Sequence, residues 1–130
     1  LDAPVADFTE ARQRYRRIAV GHGTAQMEIL KSEGFSEAQI VSLKLGDNPA
    51  RMLELGRVDA WFTGVPEGLY LWPKSNNRLQ MSPVLASTDL YLACSKDCDA
   101  QLQEDLRKAV AALSAEGMIQ RIQETYQPER

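Results

Sequence analysis

The residue types best suited to chemistry in this chain sit in two short turns. The first is Gly21-His22-Gly23-Thr24, which follows the apolar run Ile18-Ala19-Val20 and opens a segment of helical character. The second is Thr63-Gly64-Val65-Pro66, which follows the apolar stretch Val58–Phe62. A strand that ends in a glycine turn and a helix start leaves backbone N–H groups without intrahelical partners, and the helix dipole adds partial positive charge there. Such a turn can hold an anion, or it can simply reverse the chain. Thr24 and Thr63 add a hydroxyl to each turn. Together the two turns form a plausible wall for a small anion or small polar ligand.

Covalent or acid–base catalysis has less support. His22 is the single histidine of the chain, and no Ser, Cys or carboxylate stands beside it in a nucleophile motif. GHGTAQ matches neither the dinucleotide fingerprint nor a phosphate-binding loop. His22 therefore reads as a rim residue of the turn. Glu67 is the other acid–base candidate, and it reads equally well as an acidic residue favoured at a helix start. An enzyme is not expected, and no cofactor is implied. Trp61 and Trp72 could stack on a ligand, although helical spacing makes Trp72 the better core residue. Trp61 alternates with Val58, Ala60 and Phe62 and falls on the opposite face of its strand. Cys94 and Cys98 lack the histidine partners of a zinc site. They are either a small disulfide or two free thiols.

These residues need elements to position them. A length of 130 residues fits one ordinary domain or a piece of a larger protein, and a chain that opens on Leu1 is expected to be a processed or trimmed one. With 44% hydrophobic and 25% charged residues, a core needs no staples. The net charge of −3 and a pI near 5.2 argue against nucleic acid as a partner. No apolar run is long enough for a membrane-spanning helix.

The spacing predicts a short helix after Asp7 carrying Phe8, Ala11 and Tyr15, with Arg14, Arg16 and Arg17 at its solvated C-terminal end. A central strand over Ile18–Val20 follows, then a helix from Ala25 to about Glu33 closed by Gly34. Ile40–Leu45 alternates as a strand. Asp47 or Asn48 caps a helix with Pro49 in its first turn and Gly56 past its end. Val58–Thr63 is the next strand, and Pro66 starts a helix carrying Leu69 and Trp72 that Pro73 stops. Lys74–Arg78 is a polar loop, and Leu79–Leu85 is partly extended. Asp89–Ser95 is a further strand. Two amphipathic helices close the chain, one through Leu102, Leu106, Val110 and Leu113, the other capped by Ser114 and ended before Pro128. Alternating strands and helices imply an α/β fold with a parallel sheet and right-handed crossovers.

In order, RRIAVGHGTAQMEILKSEGF, MLELGRVDAWFTGVPEGLYL, STDLYLACSKD and LRKAVAALSAEGMIQRIQETY resemble the family 3 extracellular solute-binding proteins. These are the type II periplasmic binding proteins of ABC importers. The IAVGHGTAQ turn, the LELGRVDA run and the AEGMIQRI helix carry most of the likeness, which runs from about Asp7 to Tyr126. The resemblance implies three segments: a lead-in helix over 1–17, an α/β lobe 2 over 18–87, and over 88–130 the returning strand and terminal helices of an incomplete lobe 1. It also implies a fragment whose terminal helices are covered by repacking, by a second copy or by a domain swap.

The resemblance implies function as well. The chain would capture a small polar or anionic solute in the periplasm and hand it to a membrane permease. Alternatively it would be the sensing domain of a membrane receptor or kinase, or a dehydratase-like enzyme on the same fold. The carboxylate of an amino-acid ligand would fall to Gly23, Thr24 and Gln26, with His22, Thr63 and Gly64 around it. Members that bind amino acids usually carry an Asp for the ammonium group where this chain has Gly64, so an ordinary amino acid lacks its usual partner.

Overall fold

The computed structural model describes residues 3–71 and 79–126. The chain divides into two compact units, 1–86 and 87–130.

In the first unit, helix α1 spans Phe8–Arg14. Asp7 caps it by accepting from the Glu10 N–H at 2.8 Å, while the Glu10 carboxylate accepts from the Ala6 N–H at 2.7 Å. These two bonds satisfy donors that the first helical turn cannot. Strand β1 spans Ile18–Gly21, helix α2 Ala25–Ser32, strand β2 Ile40–Leu43 and helix α3 Pro49–Glu54. Strand β3 is Ala60–Trp61 and helix α4 Val65–Leu71. The three strands form a parallel sheet in the order β2-β1-β3, with Ile18 opposite both Ile40 and Ala60. The fold is thus mixed α/β with a small parallel sheet.

Both sheet-directed helices end the same way. At the end of α2 the Phe35 N–H bonds to the Leu30 carbonyl at 3.1 Å and the Gly34 N–H to the Lys31 carbonyl at 3.1 Å. At the end of α3 the Arg57 N–H bonds to Met52 at 2.9 Å and the Gly56 N–H to Leu53 at 3.0 Å. This pairing needs a left-handed residue, and Gly34 and Gly56 supply φ values of 85° and 66°. Each reversal delivers the chain back towards the sheet.

Ile18, Ala19 and Val20 are buried, as a central strand covered on both faces must be. The core joins Ile18 and Val20 to Val5, Ala11, Met27, Leu30 and Phe35. Phe8 stands edge-on to Phe35 and Phe62, with ring centroids 6.4 and 5.7 Å apart, and so seals α1 onto the sheet. The segment before Ile18 therefore contributes to the core of the first unit. Val5, ahead of α1 and outside any regular element, is 4% exposed.

In the second unit, α5 spans Ala100–Ala115 and α6 spans Met118–Tyr126. The Asp99 carboxylate caps α5 by accepting from the N–H groups of Gln101 at 2.7 Å and Leu102 at 3.2 Å. Cys94 and Cys98 are joined in a disulfide.

Several expectations need correction. Asp89–Ser95 is not a strand, and Leu90, Tyr91 and Leu92 are exposed. A strand requires a neighbour for its ladder, and this segment has none among the described residues. The returning strand of the expected architecture is therefore absent, and 79–85 likewise forms no strand. Ser114 lies inside α5 rather than capping α6, because the helix break falls at Glu116 and Gly117. β2 stops at Leu43, and β3 shrinks to two residues, although the Asp59 and Phe62 N–H groups still bond to Arg17 and Ala19 of the neighbouring segment. Trp72, Pro73, the loop 74–78 and Pro128 lie outside the described residues.

Candidate functional site

The C-terminal ends of all three strands meet at one cleft. It has a volume of about 290 Å³. Gly21, His22, Thr24 and Gln26 line it from the β1–α2 side, Leu43 to Asp47 from the end of β2, and Trp61, Phe62, Thr63 and Glu67 from β3 and α4. In the order β2-β1-β3 the chain leaves β1 towards one side of the sheet and then crosses to the other. Ligand clefts of parallel sheets form where the strand order reverses in this way.

Each turn is shaped by specific bonds. The Thr24 hydroxyl lies 2.7 Å from the Gly21 carbonyl and 3.3 Å from the Met27 N–H. A carbonyl accepts only, so the Thr24 proton is directed at Gly21, and its oxygen caps α2. In this arrangement Thr24 offers a ligand no donor. The first two N–H groups of α2, those of Ala25 and Gln26, have no acceptor within the helix. Gln26, whose side-chain amide carries two further N–H donors, lines the cleft.

The β3 side is organised differently. The Thr63 hydroxyl donates to the Glu67 carboxylate at 3.0 Å. A carboxylate accepts only, so this bond orients Glu67 and leaves it further acceptor capacity. His22 shares a hydrogen bond of 3.0 Å between Nδ1 and the Ser42 hydroxyl, which ties the first turn to β2. On the β2 side, the Asp47 carboxylate accepts from the Lys44 N–H at 2.7 Å and closes its own turn. Asn48, not Asp47, caps α3, accepting from the Arg51 N–H at 3.0 Å.

Of the residues singled out in the sequence, His22, Thr24, Gln26 and Thr63 line the cleft together. Gly64 stands beside it, with its absent Cβ 3.7 Å from the Gln26 amide nitrogen. Gly23, at φ 67°, shapes the turn rather than lining the cleft. Trp61 is half-buried and lines the cleft. The β2–α3 loop is expected from the sequence as a turn into a helix, but the place of Lys44 and Asp47 at the cleft is not. Its signal was available, since Gly46-Asp47-Asn48-Pro49 follows a strand just as the other two turns do.

Among the described residues, no group of three or more His, Cys, Asp or Glu side chains could hold a metal ion. No described helix is long and apolar enough to cross a membrane. No family model matches the chain, and no curated protein or solved structure matches it.

Proposed function

We propose that this chain is a periplasmic solute-binding domain that captures a small polar or anionic solute for a membrane permease. The observation that carries the reading is the convergence of three parallel strand ends on one cleft, with Thr24 and Gln26 from the start of α2 on one side of it. Helix-start N–H groups and an amide favour a carboxylate or similar anion. The likeness of the IAVGHGTAQ and LELGRVDA runs to family 3 solute-binding proteins supports the same reading, including the type II lobe architecture. The receptor-sensor alternative shares this site and differs only in the membrane partner.

Isothermal titration calorimetry of the chain against amino acids, dicarboxylates and polyamines tests the proposal. Saturable binding of at least one carboxylate, weakened in Gln26→Leu, is the expected result. No binding by any member at millimolar concentration would sink it.

A further inference from the structure

The disulfide of the second unit brackets a single turn. Cys94 and Cys98 are four positions apart. Between them the Cys98 N–H bonds to the Ser95 carbonyl at 3.0 Å and closes a turn over Lys96 and Asp97. Beyond Cys98 the chain enters α5 at once. Asp99 caps that helix, and the Gln103 side-chain amide donates to the Cys98 carbonyl at 3.3 Å. Ahead of Cys94 lies the irregular segment in which Leu90, Tyr91 and Leu92 are exposed. Three features separate this disulfide from a structural staple. Cys94 is exposed and Cys98 half-buried, so an attacking thiolate has access to the bond. No described residue of the second unit is buried, so the bond crosses no core. The closed loop is short, so the cross-link removes little entropy from the unfolded chain. Exposed disulfides are the readily reduced ones.

We infer that Cys94–Cys98 is a redox-sensitive clasp, opened by a dithiol reductant, that fixes the irregular segment ahead of α5 onto the start of that helix. A thiolate of the reductant attacks the more exposed sulfur, Cys94 Sγ. The S–S bond breaks, its electron pair leaves on Cys98 Sγ, and that thiolate takes a proton from solvent. The second thiol of the reductant then attacks the reductant's own sulfur in the mixed disulfide and releases Cys94 as a thiol. The protein gains two electrons and two protons, and the dithiol leaves as a disulfide. Opening frees the turn over Lys96 and Asp97. The start of α5 persists, because the Asp99 carboxylate holds the N–H groups of Gln101 and Leu102 and its carbonyl holds that of Gln103, without either sulfur. The clasp does not depend on the cleft of the first unit.

Dithiothreitol is the probe, applied to the full folded chain. Alkylation with mass spectrometry counts the thiols, and hydrogen exchange reads the structure. Reduction without denaturant is expected to run within about threefold of its rate in urea, because access requires no unfolding. Exchange at the Cys98 amide should then rise about tenfold or more, while the amides of α5 from Gln103 onward change by less than about twofold. Oxidised glutathione should restore the original pattern. The double variant Cys94→Ser, Cys98→Ser should show the fast Cys98-position exchange without reductant and no response to it. A disulfide that opens only in urea would overturn the inference. So would a position 98 amide that stays protected in both the reduced chain and the double variant. Protection lost along the whole of α5 would overturn it as well, by making the disulfide a staple of the second unit.

Discussion

Thr24 and Gly21 are locked to each other twice. The Thr24 hydroxyl donates to the Gly21 carbonyl at 2.7 Å, and its methyl carbon lies 2.8 Å from where a Cβ on Gly21 would stand. The pair sets the end of β1, the start of α2 and the direction of the Thr24 hydroxyl proton. Rotating Thr24 to relieve a clash would break both the carbonyl bond and the helix cap.

Gly21→Ala is therefore expected to destabilise the fold by about 1–3 kcal/mol, the usual cost of forced overpacking. Gly64→Ala is the control. Its new Cβ would meet nothing closer than 3.7 Å, so a change within about 0.5 kcal/mol is expected. Urea denaturation of the two variants side by side checks the contrast, and equal stability would contradict it.

Removing the Thr24 hydroxyl in Thr24→Val should cost about 1 kcal/mol through the lost cap. Thr24→Ser retains the oxygen and should stay within a few tenths of a kcal/mol of the parent. The same urea series reads both, and a Ser variant as weak as the Val variant would show that the methyl, not the oxygen, matters.

Gln39 holds the turn after α2 against α1. Its amide nitrogen donates to the carbonyls of Arg12 at 2.9 Å and Tyr15 at 2.8 Å, and its oxygen accepts from the Ser36 N–H at 3.1 Å. Gln39→Glu replaces the double donor with a carboxylate oxygen facing two carbonyls. A loss of about 2 kcal/mol is expected. Thermal denaturation at neutral pH measures it, and an unchanged midpoint would mean that solvent takes over these carbonyls without cost.

Asp59 joins the start of β1 to β3. One carboxylate oxygen accepts from the N–H groups of Arg16 at 3.0 Å and Arg17 at 2.9 Å, and the other pairs with the Arg17 guanidinium at 3.4 Å. Asp59→Ala should lose about 1–3 kcal/mol, because two N–H groups lose their acceptor. Asp59→Asn keeps one acceptor oxygen and gives up chiefly an exposed ion pair, which contributes at most about 1 kcal/mol. An Asn variant as destabilised as the Ala variant would shift the weight to the ion pair.

Reduction of Cys94–Cys98 should leave the unfolding midpoint of the first unit unchanged, since both cysteines lie in the second. Hydrogen exchange at the amides of β1 reads this with and without reductant. Loss of protection on reduction would contradict it.

Much of the first unit is legible in its sequence. Asp7, Gly34, Asn48 and Gly56 are local signals, each acting within a turn or two of its own position, and each stands where its helix begins or ends. Asp89–Ser95 is a segment whose local pattern does not decide its structure. Its apolar residues carry strand propensity, but propensity describes a half-buried pleated surface and not an isolated segment. Val5 was illegible for the opposite reason. No period marks it, and only α1 folding back over the sheet buries it.

The amino-acid sequence by itself determined where α1 begins, where α2 and α3 end, which turns lie at strand ends, and which run forms the central strand. Caps and reversals are made by residues three to five apart, so their chemistry is local. The tertiary structure alone decided the order β2-β1-β3, the joining of Asp47 and Glu67 to the His22 turn in one cleft, and the uneven division of donors and acceptors there. Strand pairing and cleft closure bring together residues some twenty to forty positions apart, as His22 with Ser42 and Arg17 with Asp59. The direction of a hydroxyl proton depends on whichever acceptor that packing places beside it.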